Sequence, residues 1–298
     1  MRLLIPISLT LLLSACAQQP DLEPDLATVV DDRSLTQPAL LSQVSYSSLL
    51  PLAAAVPESA SQRINYGTGA LQYGQLFLPA NGSNTPAPLL VFVHGGCWLN
   101  AYDITHSQAF SYALAQQGYA VWSIEYRRTG DDGGGWPGSY QDIMQALRYI
   151  PYLPRKQLDL SRVVLAGHSA GGHLALLAAS EVTMTPALKG VIGLAAITDV
   201  KRYSQGENGC QKATQGFFAG DLQSQAEAYQ QANPVEQPLP QSTLLLHGSA
   251  DSIVPIEQAS DSGLPMLLVH DAGHFDWIHP QSAAYNQFLL SLNELISP

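Results

Sequence analysis

The chain has 298 residues, 46% hydrophobic and 12% charged, enough apolar material for a sizeable core and, at this length, for one catalytic domain. Its formal charge is −11 and no run of Lys or Arg occurs, which argues against a nucleic-acid partner. Three cysteines are too few for a disulfide scaffold or a four-thiolate zinc site. No H-E-x-x-H spacing occurs among the eight histidines, so a metal site of the zinc-hydrolase kind is not expected.

The chain opens with Met1-Arg2, an apolar run from Leu3 to Leu13, and Leu13-Ser14-Ala15-Cys16. That pattern reads as a secretory signal peptide over residues 1–15, too short to remain as a membrane-spanning helix. The small residues before Cys16 resemble a bacterial lipobox. The resemblance implies a lipidated Cys16 and, with Ala17 beside it, a lipoprotein anchored in the outer membrane and facing the periplasm. Residues 16–41, rich in Gln, Asp, Pro, Ser and Thr without sustained periodicity, suit a flexible tether. Apolar residues return at Val44, Tyr46, Leu49, Leu50 and Leu52, so the piece from Ser42 to Val56 is expected to dock on a catalytic domain spanning residues 42–298.

Within that domain the sequence predicts strands at Gly74 to Leu78, Leu89 to Val93, Tyr119 to Ile124, Val163 to Ala166, Gly190 to Ala195, Thr243 to Leu246 and Met266 to Val269. Helical spacing runs over Ile104 to Gln117, Tyr140 to Ile150 and Gln281 to Ile296. Strand and helix alternate, and the strands are near-continuous apolar runs. The expected fold class is therefore α/β, with a mainly parallel central sheet covered by helices on both faces. The polar and aromatic stretch from Asp199 to Pro240 is expected to form a short cap region.

The stretch Val163-Val164-Leu165-Ala166-Gly167-His168-Ser169-Ala170-Gly171-Gly172 carries the clearest chemistry. Glycines two before and two after Ser169, between a strand and a small-residue helix, predict a sharp turn that lifts the serine hydroxyl above the sheet edge. The helix N-terminus then lies beside it. His94-Gly95-Gly96-Cys97-Trp98 follows another apolar strand, and its paired glycines expose backbone N–H groups. Gly95 and Gly96, with the N–H of Ala170, are candidate oxyanion donors, while His94 is read as holding the loop. Asp251 follows the strand Thr243 to Leu246, and His274 follows Met266 to Val269, on the same rim of the sheet. A serine nucleophile needs a base and an acid to orient it, and Ser169, His274 and Asp251 supply these in the chain order nucleophile, acid, base. Asp199 is the rival acid, one strand too early. The remaining histidines flank the turn or sit where backbone hydrogen bonds can satisfy them.

Together G-H-S-A-G-G-H-L, H-G-G-C-W, H-G-S-A-D-S-I-V-P and A-G-H-F resemble an α/β-hydrolase from about Tyr66 onward. The H-G-G-x-W loop and Glu125-Tyr126-Arg127 are similar to the carboxylesterase and arylformamidase branch, with Cys97 where the commoner loop has a third glycine. The resemblance implies cofactor-free hydrolysis of a small-molecule ester or simple amide through an acyl-enzyme. Trp98, Trp136, Phe217 and Phe218 are candidate pocket residues. Cys97 and Cys210, on segments leaving the same rim, are candidates for a disulfide in an exported protein. The leading expectation is a serine esterase for small or aromatic esters. A kynurenine-formamidase-like amidase, a peptidase and a non-catalytic envelope protein are the alternatives.

Overall fold

A computed structural model describes residues 40–79, 85–182 and 188–297. The signal peptide and Cys16 lie outside the described residues. Eight strands form one sheet in the order β1-β2-β4-β3-β5-β6-β7-β8. They are β1 Ser61–Asn65, β2 Tyr73–Phe77, β3 Ala87–Val93, β4 Ala120–Ile124, β5 Leu158–His168, β6 Gly190–Leu194, β7 Thr243–Gly248 and β8 Met266–Val269. From β4 to β8 every neighbouring pair is parallel, and β1 and β2 add an antiparallel edge.

The period-two geometry of strands sorts the apolar runs into two cores. Leu89, Val91 and Val93 join one core, with residues of helices α3 (Gly138–Tyr149) and α4 (Ala170–Glu181). Leu90 and Phe92 join the other, with α2 (Gln108–Gln116) and α9 (Ala283–Ile296). Strands β3, β4 and β6 are thus buried on both faces, which explains why their sequences do not alternate with polar residues. Helix α4 is buried over ten consecutive residues, from Ala170 to Ala179.

Between β6 and β7 the expected cap is built of three short helices, α5 (Val200–Tyr203), α6 (Gly209–Phe217) and α7 (Ala226–Gln231). Asp199 and Asn208 start the first two by accepting from the backbone N–H of Arg202 and Gln211. Helix α8 (Glu257–Ser260) follows β7.

Two details correct the sequence reading. The tether does not run through residue 41, because the Leu41 N–H donates to the Gln281 carbonyl (3.0 Å) and Leu41 bridges to Ser282. The segment from Ser42 to Val56 holds a helix, α1 (Tyr46–Ala54), seated by fully buried Leu49. Strand β1 was not expected either: its Ser, Gln, Arg and Asn give no apolar alternation, and it is held by pairing with β2 and by Ile64 packing on the core.

Candidate active site

Parallel pairing of β3 with β5 sets Val93 opposite Gly167. The two chains leave the sheet side by side, His94-Gly95-Gly96 next to His168-Ser169-Ala170. The chain passes from β3 to β4 on one side and β5 on the other, the topological switch point where open α/β sheets place their ligands.

Ser169 has φ 56° and ψ −122°, a conformation that L-residues avoid, and α4 begins at the next residue. The flanking glycines allow it: a Cβ on Gly167 would stand 2.2 Å from the Gly171 carbonyl oxygen. The first turn of α4 leaves amides, that of Ala170 included, without helical acceptors at the serine. Both carbonyls beside Gly95 are engaged elsewhere. The Tyr126 hydroxyl donates to the His94 carbonyl at 2.9 Å, and His94 Nδ1 donates to the Gly95 carbonyl at 2.8 Å. His94 Nε2 lies 3.0 Å from Glu125, which also accepts from the Ile104 N–H. Burial alone would raise the Glu125 carboxyl, but His94 and Arg128 outweigh it and hold it below its usual range. His94 is thus a loop support, and Glu125 and Tyr126 complete a support that sequence reasoning had noted only as a family likeness.

His274 Nδ1 donates to Asp251 Oδ2 at 2.7 Å. The other Asp251 oxygen accepts from the N–H groups of Ile253 and Val254, both at 2.8 Å. Burial would raise this carboxyl, yet the His274 ring and the Val254 amide keep it lowered. His168 Nε2 donates to the His274 carbonyl at 2.9 Å, and the two rings stand 4.6 Å apart. The residue before the candidate nucleophile therefore holds the backbone of the candidate base. Asp199 serves instead as the α5 cap.

Ser169 and His274 line one partly enclosed cavity of about 140 Å³, together with Gly96, the Cys97 and Cys210 pair, Tyr46, Tyr102, His106, His168, Ile253 and Phe275. Cys97 and Cys210 have Cα atoms 5.0 Å apart and sulfurs within bonding distance.

The four aromatics expected in the pocket are elsewhere. Trp98 and Phe217 stack at 5.0 Å inside the core, Phe218 stacks on Tyr229 at 3.9 Å, and Trp136 lies on Tyr140 at 5.4 Å. Trp98 turns inward because its indole N–H donates to His173 Nδ1 (3.3 Å), which lets the whole ring be buried. The rings that do line the cavity, Tyr46, Tyr102 and Phe275, are scattered in sequence, and of the three Phe275 alone falls in a quoted motif, as the last residue of A-G-H-F.

Among the described residues no three His, Cys, Asp or Glu side chains converge as a metal site, and no helix is long and apolar enough to cross a membrane.

The chain is 25% identical over 214 residues to Esterase LipC of Mycobacterium tuberculosis, covering 66% of this chain and 53% of that protein. It therefore spans about half that relative's length. It is 23% identical over 216 residues to the kynurenine formamidase of Meyerozyma guilliermondii, covering 67% of this chain and 78% of that enzyme. Esterase B of Lactobacillus rhamnosis superposes with a TM-score of 0.69 at 21% identity, over 84% of this chain and 90% of that one. The fold is that of the α/β-hydrolases. Residues 75–262, well over half of the chain, match the family described as BD-FAE, and to that family the chain belongs.

Proposed function

We propose that this protein is a serine hydrolase of carboxylic esters with small acyl groups, with Ser169 as nucleophile. The observation that carries the reading is the 2.7 Å bond from His274 to the buried Asp251 carboxylate, on a histidine sharing a cavity with Ser169. With Nδ1 committed to Asp251, Nε2 is the nitrogen left to take the Ser169 hydroxyl proton. The serine oxygen attacks the ester carbonyl, whose electron pair moves onto oxygen and is met by the amides of Gly95, Gly96 and Ala170. His274 returns the proton to the departing alcohol, leaving an acyl-enzyme. Water then gives a proton to His274 and its oxygen to the acyl carbon, releasing the acid and restoring the serine.

The cavity volume limits the substrate. A cavity of roughly 150 Å³ holds a benzene-sized guest, so about 140 Å³ suits short or single-ring acyl groups over long lipid chains. Graded p-nitrophenyl esters test this: the reading expects turnover highest for acetate to butyrate and lost in Ser169→Ala. Turnover that survives Ser169→Ala, or peaks on long-chain emulsions, would contradict it.

A formamidase is the second reading, favoured by the kynurenine formamidase similarity covering 78% of that enzyme. N-formyl aromatic amines in the same assay decide between the two. For location, we propose an exported lipoprotein anchored through Cys16, supported by the Leu13-Ser14-Ala15-Cys16 sequence. Mass spectrometry of the mature N-terminus tests it, and an unmodified N-terminus beyond Cys16 would end it.

A further inference from the structure

The segment just before α1 is fastened to the loop that carries His274, and one carboxylate does it. Asp276, buried, accepts from the backbone N–H groups of Gln43 (2.7 Å) and Val44 (2.7 Å) on one side and Gly273 (2.8 Å) on the other. The approach is close: a Cβ on Gly273 would stand 2.9 Å from Gln43 Cα. The clamp sets the first residue of α1, Tyr46, against the site. Its ring meets Tyr102 edge-on at 5.3 Å, His106 at 5.6 Å and Phe275 at 5.7 Å, so three neighbours fix its position. Residues 43–46 lie outside the stretch 75–262 that matches the family, so this wall is supplied by a part of the chain beyond that match.

Two cavities meet at the disulfide. The more enclosed one holds Ser169, His274 and Tyr46. A more open one, lined by Leu99, Asn208, Gly209 and Ser252, shares with it Cys97, Tyr102, Cys210 and Ile253. In ester hydrolysis the alcohol leaves for solvent while the acyl group stays bonded to the serine until water arrives. The more open groove therefore suits the leaving alcohol and the more enclosed cavity the acyl group. We infer that Tyr46, held by the Asp276 clamp, is a specificity-determining residue that sets the length of acyl chain the enzyme accepts. This rests on the esterase reading of the same site.

The test compares kcat/KM across two ester series, p-nitrophenyl esters of rising acyl length and acetates of rising alcohol length, in wild type, Tyr46→Ala and Tyr46→Trp. Pocket discrimination runs at about tenfold or more per methylene. Tyr46→Ala should thus raise the hexanoate-to-acetate ratio by at least about tenfold, and Tyr46→Trp should lower the butyrate-to-acetate ratio in the opposite sense. The alcohol series should keep its wild-type order in both. Leu49 anchors α1 independently, and the enlarging variant carries the test if the truncated one fails to fold. Unchanged acyl ratios, or a shift confined to the alcohol series, would overturn the assignment while leaving the esterase intact. Wild-type protein that neither turns over any ester nor takes a fluorophosphonate label at Ser169 would instead remove the esterase reading, and this inference with it.

Discussion

Gly95 stands so close to Ser169 that a Cβ built on it would lie 3.1 Å from the serine Cβ and 2.9 Å from both the carbonyl oxygen and Nδ1 of His168. The contact follows from the parallel register of β3 and β5, which brings the two loops off the sheet side by side. Gly95→Ala should therefore push this loop away from Ser169, the proposed nucleophile. Loss of one oxyanion donor typically lowers kcat by about 10² to 10³, and a loss of that size, with KM little changed, is expected from steady-state kinetics. Wild-type kcat in a folded Gly95→Ala protein would remove Gly95 from the oxyanion hole.

Asp251 and Asp199 separate by the same assay. Asp251 is bonded to His274, whereas Asp199 caps α5. Asp251→Asn should lower kcat by about 10⁴, the effect of losing the carboxylate that sets the histidine tautomer. Asp199→Asn, which keeps a capping oxygen, should stay within a few-fold of wild type.

Much of this was legible in the sequence because it lies in contiguous runs. The apolar strands, the glycine-flanked serine and the acid and histidine after successive strands each announce themselves locally. The pocket walls do not. Tyr46, Tyr102 and Phe275 come together only through the Asp276 clamp and the strand order, and no spacing in the chain encodes that meeting. Trp98 and Phe217 misled for a related reason. An aromatic beside a catalytic loop reads the same whether its ring faces substrate or core, and the His173 acceptor that turns Trp98 inward lies 75 residues away.

Acid sensitivity follows from His173. Its Nε2 donates to the Ala232 carbonyl at 2.7 Å, and burial lowers its pKa from 6.5 to about 4. The unfolded chain takes up this proton near pH 6.5 and the folded one only near pH 4. The stabilisation is therefore complete above pH 6.5 and is lost as pH falls toward 4, by roughly 3 kcal/mol for this residue. His106, lowered to about 3 by burial and by His94, adds to the same trend. Denaturant titrations at several values between pH 7 and 4 should show stability falling. His173→Gln, which retains a donor for Ala232 without a titratable ring, should give a shallower slope. Equal slopes would place the acid sensitivity elsewhere.

The Cys97 and Cys210 pair joins positions 113 residues apart and forms part of the cavity wall. In the chain-entropy account, closing a loop of this length is worth on the order of 4.7 kcal/mol. Cys97→Ser with Cys210→Ser should lower the unfolding free energy by up to that amount. It should also reduce kcat at temperatures where the sheet is still folded, because Cys97 follows Gly96. Non-reducing peptide mapping of the protein should recover the two cysteines as one linked peptide, and free alkylated Cys97 would contradict this.

In the proposed reaction Ser169 becomes covalently acylated with the help of His274. Mass spectrometry after rapid acid quench of a reaction with p-nitrophenyl butyrate reads this directly. The account predicts a butyryl adduct on the peptide containing Ser169 in wild type, and no adduct in Ser169→Ala. In His274→Ala the adduct should form at a rate lower by several orders of magnitude. Butyryl on another residue, or ester turnover with fluorophosphonate-treated Ser169 fully blocked, would contradict it.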